Sequence, residues 1–285
     1  MKKFLSLLTA CSLLVPIKLT LRSGQSFQAL LTEKTPDTII YTRRAADGTV
    51  LKGSAKRAQV TSILLPTPKD FATLAPQALR RGPRRKRALE KGKELWELYS
   101  WHTNWPGHSA LPYYQYAILN LNCERIKEAA ALFQKALEKG QRKNSAKLLS
   151  AFCLHKLDKK RGLEKLLREV PENLEKPEEE ALRRYLLGLS LEKERPDLAL
   201  QNFLYPHFFL STEKDLACAA LLAATALCVR EKQKETALRL TIVLTNEYPE
   251  AAFHKHRRLA LRWLGLTNRY TKAHPINQIT TDFLP

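Results

Sequence analysis

Five cysteines and seven histidines are the side chains of this chain best suited to hold a metal or attack a carbonyl, and their spacing argues against both roles. Cys11, Cys123, Cys153, Cys218 and Cys228 include no C-x-x-C pair, and no histidine stands at metal-ligand spacing from them. Cys218 and Cys228 are ten positions apart on one expected helix, roughly 15 Å along its axis, so they cannot bond to each other within it. His254 and His256 are two apart and point to different helix faces, whereas a helical metal pair needs a separation of three or four. Glu178, Glu179 and Glu180 fall at an expected helix start, where carboxylates complement the helix dipole. No G-x-S-x-G elbow and no glycine-rich phosphate loop occurs. The chemistry-bearing residues thus point to no catalytic residue, no metal and no cofactor, and the expectation is a protein that is not an enzyme.

Charge is the second chemical resource. The chain carries 48 Lys and Arg against 28 Asp and Glu, a net +20. Residues 1–109 hold 19 basic and 7 acidic groups, or +12, and residues 110–285 hold 29 and 21, or +8. The excess peaks at Arg80, Arg81, Arg84, Arg85, Lys86 and Arg87, a run that attracts phosphates, anionic lipid headgroups or acidic polymers without choosing among them. Nucleic acid has less support than the others, because no aromatic platform or recognised nucleic-acid motif accompanies the run.

The elements that must position these groups change character along the chain. Residues 1–15 begin with Met1-Lys2-Lys3 and an apolar run ending at Val15, too short for a permanent membrane span and similar to an export signal. Leu8-Thr9-Ala10-Cys11 resembles the bacterial lipobox, which implies lipidation of Cys11 and membrane association through that lipid alone. Residues 16–66 alternate at period two, with turns at Ser23-Gly24, Pro36-Asp37 and Asp47-Gly48. Five short strands in that length predict a small barrel, SH3-like or Sm-like in pattern. Residues 67–109 read as a linker containing Pro68, Pro76 and Gly82, followed by a basic and aromatic helix. Its aromatics Trp96, Tyr99, Trp101 and Trp105 are expected to form the seam between barrel and helices rather than a ligand-stacking surface.

Residues 110–264 are expected to form helical hairpins in four units, about 110–143, 144–180, 181–217 and 218–250, followed by a capping helix; residues 265–285 are a tail. Units starting at Ala110, Asn144, Ala181 and Cys218 are spaced by 34, 37 and 37 residues. The first places Ala117, Ala129, Phe133 and Ala136 where two helices must touch. The second has Ala151, Leu163, Leu167 and Val170; the third, Gly188, Leu191, Ala199 and Phe203 with a turn one residue shorter; the fourth, Leu221, Ala224, Cys228, Ala237 and Leu244. These residues resemble the tetratricopeptide repeat (TPR) family, although the family's tryptophan is absent from all four units. The expected fold class is mainly α, a TPR-like α-solenoid of helical hairpins preceded by a small β-barrel.

The resemblance implies a protein or peptide partner held in the groove lined by the first helix of each hairpin. The corresponding positions here are Tyr114, Ile118, Asn122, Leu148, Lys156, Leu222 and Arg230, with the two cations favouring an acidic segment. Together with the export-like start, this predicts a noncatalytic adaptor of the bacterial cell envelope; the alternative is a basic polyanion-binding protein, cytoplasmic if the signal is not used. Intact-mass analysis of the protein from a fractionated bacterial host separates these readings: loss of the first ten residues with added acyl mass on Cys11 establishes a lipoprotein adaptor, and a soluble species retaining Met1 favours the cytoplasmic polyanion-binding alternative.

Overall fold

The computed structural model describes residues 15–64, 69–79, 82–100, 105, 111–140, 143–210, 212–249 and 260. Cys11, Arg80, Arg81, Trp101, His254, His256 and the tail lie outside them, as does the capping helix apart from helical Ala260.

Strands β1 (Val15–Leu21), β2 (Ser26–Lys34), β3 (Thr38–Arg44), β4 (Val50–Lys56) and β5 (Val60–Leu64) form one antiparallel sheet in the order β4-β3-β2-β1-β5. This is the small β domain expected from the alternating pattern. Gly24 and Gly48 adopt φ of 84° and 86°, as the predicted turns require. Ile17, Leu19, Ala29, Leu31, Ile39, Tyr41, Ala55, Val60 and Ile63 are buried together on one face. Register irregularities in β1 and β2 bend the sheet, a 3-10 turn (Arg57–Gln59) links β4 to β5, and those two strands are its edges.

The helical part begins earlier than the prolines suggest. Helices α1 (Lys69–Leu79) and α2 (Pro83–Ser100) pack together as a hairpin, so most of the expected linker is helical. Phe71, Leu74, Ala75 and Ala78 recur at i, i+3, i+4 and i+7 and are buried, whereas Pro76 sits on the exposed side of α1. That apolar period outweighs the local cost of proline. Four more hairpins follow: α3 (Leu111–Asn122) with α4 (Ile126–Glu138), α5 (Lys143–Lys156) with α6 (Lys160–Arg168), α7 (Pro177–Leu191) with α8 (Pro196–Phe209), and α9 (Lys214–Arg230) with α10 (Lys234–Glu247). Each stacks on the next, chiefly through α4 on α5 and α8 on α9, giving a TPR-like succession of hairpins after the sheet.

Three of the turns repeat one geometry. Glu124, Asp158 and Lys232 have φ of 64°, 57° and 61°. Each donates its N–H to a carbonyl three residues back, Leu121, His155 and Val229 respectively. The following residues, Arg125, Lys159 and Gln233, donate five residues back to Asn120, Leu154 and Cys228. This is the Schellman pattern, which satisfies the last carbonyls of the first helix while reversing the chain. The α7–α8 turn is shorter and lacks the positive φ: Glu194 and Arg195 both donate to Leu191 O.

Where the helices touch, side-chain size sets their separation. Ala117, Ala129, Phe133, Ala136, Ala151, Ala199, Phe203, Ala224 and Ala237 are all fully buried. A Cβ on Gly188 would fall 2.4 Å from Phe203 Cε1, and one on Gly92 would fall 2.0 Å from Leu119 Cδ2. Trp105, between α2 and α3 in the chain, is buried in the core of the sheet, while Trp96 stacks on Tyr116 at 5.0 Å and meets Tyr113 edge-on. These two aromatics therefore serve packing on either side of the predicted seam.

Two substitutions test this account in opposite directions. Gly188→Ala should destabilise the protein by about 1–3 kcal/mol through overpacking against Phe203. Lys232→Gly should stabilise it by about 1 kcal/mol by relieving a left-handed non-glycine residue. Chemical denaturation of both variants measures the two shifts.

Candidate interaction surfaces

Most of the residues expected to line a groove along the first helices are buried. Tyr114, Ile118, Asn122, Leu148 and Leu222 are each 1% exposed or less, so they are core residues and the groove assignment is corrected for them. The reason is packing from several sides: α3 is held by α1, α2 and α4, and α9 by α7, α8 and α10. Tyr114 meets Phe133 edge-on at 5.8 Å, and Asn122 donates through Nδ2 to Ala75 O at 3.1 Å. Low periodic contrast along α3 and α9 carried this signal in the sequence, since helices apolar on all sides are buried ones.

The two cations of that set are more accessible but engaged within the chain. The Lys156 ammonium lies 5.4 Å from the Phe152 ring centroid, and burial lowers its pKa, with partial compensation from Glu124. Arg230 donates through Nη2 to Glu192 O, approaches the Glu192 carboxylate with Nη1 at 3.7 Å and bonds Glu231 through Nε at 3.2 Å. Similar bridges join successive hairpins elsewhere: Ser145 donates to Glu179, and Lys160 pairs with Glu194, each across one repeat length. Arg230 accordingly ties α9 to the end of α7, while Lys156 lies against the Phe152 ring of its own helix.

The basic run divides in the same way. Arg85 turns inward, donating through Nε to Ala78 O at 3.1 Å and placing Nη1 3.3 Å from Glu124. Lys86 stands 3.9 Å from Glu90 in an exposed pair. Arg84 and Arg87 are exposed, and with Lys91 they form a cationic stripe on α2 at i, i+3 and i+7.

An apolar surface missed by the groove expectation lies on the second helices of the last two hairpins. Phe208 and Phe209 are 66% and 70% exposed at the end of α8, and Leu238 and Ile242 are each 50% exposed on α10. Tyr205 packs against Phe209 with ring centroids 4.8 Å apart, and the Arg184 guanidinium lies 4.2 Å above Tyr205. His207 faces the other way: its Nδ1 is 3.0 Å from the hydroxyl of buried Tyr248, and its Nε2 is 3.6 Å from Glu247. This contact ties the end of α8 to the end of α10. The visible sequence signal was the run Phe203-Leu204-Tyr205-Pro206-His207-Phe208-Phe209-Leu210, which holds more large apolar groups than one core-facing stripe can use.

Among the described residues no group of three or more His, Cys, Asp or Glu side chains is arranged to hold a metal, and no helix is long and apolar enough to cross a membrane. Burial pushes the Cys153 thiol up to about 12 and the Cys228 thiol up to about 11, with Glu231 adding to the latter. Cys123 is raised by burial against the opposing pull of Arg85 and Arg125.

No protein-family model matches the chain, and no curated protein matches it. Among solved structures it is similar to YrrB, described as a TPR protein with an unusual peptide-binding site, at 21% identity and a TM-score of 0.41, over 68% of this chain and 94% of that one. The hairpin stack above rests on its own contacts and turns.

The thiol environments have a direct readout. In the native protein at pH 8, Cys153 and Cys228 should resist alkylation until the chain is unfolded, because raised pKa values and burial both suppress the thiolate. Mass mapping of alkylated peptides checks this; rapid native labelling of Cys153 would contradict the packing of α5.

Proposed function

We propose that this chain is a noncatalytic protein-interaction scaffold of the bacterial cell envelope that binds a protein or peptide partner through the outer surface of its last two hairpins. The observation carrying this reading is the exposure of Phe208, Phe209, Leu238 and Ile242 on helices already anchored to the core by Phe203, Ala237 and Leu244. Aromatic anchors held on rigid elements suit them to be binding hot spots, since little conformational entropy remains to be lost. The envelope location is supported by the export-like start and by Cys11 in its lipobox-like setting. Lipidation there would place the scaffold at a membrane surface without a spanning helix.

A second reading is supported by the stripe of Arg84, Arg87 and Lys91: contact with anionic lipid or another polyanion. Ionic strength separates the two, because polyanion binding falls steeply with salt whereas an apolar contact changes little.

Photo-crosslinking residues placed at Phe208 and Ile242 in the native host should capture one discrete protein, while the exposed control position Lys193 should not. Phe208→Ser combined with Phe209→Ser should lower partner affinity at least about 30-fold, the effect of losing a hot spot of 2 kcal/mol or more, without moving the melting temperature. Unchanged affinity in that double variant would overturn the assignment of this surface.

A further inference from the structure

The β4 edge of the sheet offers a second surface, independent of the α8–α10 face, and its backbone geometry determines what fits. Ala45 N–H donates to Thr49 O, and Arg57 N–H to Asp37 O, at the two ends of the β3–β4 ladder. With the register Arg43↔Leu51, Tyr41↔Gly53 and Ile39↔Ala55, these bonds set its alternation. Leu51, Gly53 and Ala55 bond to β3, so the N–H and C=O groups of Val50, Lys52 and Ser54 point away from the sheet. Lys56 follows the same alternation: its outward N–H is taken by Gln59 Oε1 at 2.9 Å. The open stretch of edge therefore spans Val50 to Ser54.

The side chains along this edge are selective. Val50, Lys52, Ser54 and Lys56 project to the outer face and are exposed, and Val50 is 64% exposed. Leu51, on the inner face beside Arg43, is 42% exposed, whereas Ala55 is buried. Arg43 is held with its guanidinium 4.8 Å over Phe27. Strands β3 and β4 carry Arg43, Arg44, Lys52 and Lys56 and no carboxylate. The sheet domain, residues 15–64, has eight basic and three acidic groups, a net +5.

We propose that β4 is a docking edge for an extended peptide segment that alternates acidic and apolar side chains. Such a segment adds as a sixth strand through the free groups of Val50, Lys52 and Ser54. Its carboxylates lie on the outer face, about 5 Å from their cross-strand neighbours, where Lys52 and Lys56 neutralise them. Its apolar side chains lie on the inner face, covering Leu51 beside the Tyr41 ring that already lies over Gly53. The same lysines exclude a second copy of this chain: antiparallel pairing of two β4 edges puts four ammonium groups on one face, with lysines directly opposite in the registers centred on Lys52 or Ser54.

The test uses the full chain and a fluorescein-labelled peptide of four glutamates alternating with three valines. Saturable binding by fluorescence anisotropy is expected, and it should persist in the Phe208→Ser/Phe209→Ser variant. Lys52→Glu with Lys56→Glu should weaken it at least tenfold, and the matching peptide with lysines for glutamates should not bind. Ser54→Pro should also weaken it at least tenfold without unfolding the sheet, because proline is tolerated where an edge N–H faces solvent. In the wild-type protein, amide exchange at Val50, Lys52 and Ser54 should slow when the peptide is added. Failure of the wild type to bind, undiminished binding by a folded Ser54→Pro variant, or unchanged exchange at those three amides would overturn strand addition at β4.

Discussion

The helical part of this protein depends on how closely two helices can approach after the chain reverses. A helix end leaves carbonyls without partners, and a reversal that fails to satisfy them loses what the packing contributes. Glu124, Asp158 and Lys232 solve this with the same left-handed residue and the same pair of backward hydrogen bonds. None of the three is a glycine, so each turn carries backbone strain that the surrounding contacts must hold. Ala117 with Ala129, and Gly188 with Phe203, then set how near the paired helices lie.

Close approach has a functional consequence. Where first helices are gripped by their own partner and by neighbouring hairpins, Tyr114, Ile118, Leu148 and Leu222 are taken into the core. The polar groups in that interior, including Ser145 with Glu179 and Asn122 with the Ala75 carbonyl, are occupied in joining elements. Arg230 and Arg85 are likewise spent on carbonyls and carboxylates of the chain. Exposed among the described residues are aromatic and aliphatic groups on α8 and α10, a short cationic stripe on α2 and the edge of β4.

The sheet is small enough that its core needs help, and Trp105 supplies it from the segment between α2 and α3. One large side chain from between α2 and α3 thus completes the core of the sheet.

Much of the architecture was legible in local chemistry. Period-two alternation with Ser23-Gly24 and Asp47-Gly48 marked strands and turns, and Ala117-Ala129-Phe133-Ala136 marked a hairpin, because these patterns follow from backbone geometry over a few residues. Even the shorter third turn could be counted from the spacing of Gly188 and Ala199. The α1 helix was obscured because proline is a stronger local signal than four apolar residues at helical spacing. Site assignment failed for a different reason. Whether Tyr114 or Leu148 faces a groove depends on what packs over it from a neighbouring hairpin, and whether Arg230 is free depends on a carbonyl 38 residues away. The sequence by itself determined the strands, most of the helices and their repeat; tertiary structure alone decided which faces are covered, because burial is a property of neighbours brought together by stacking.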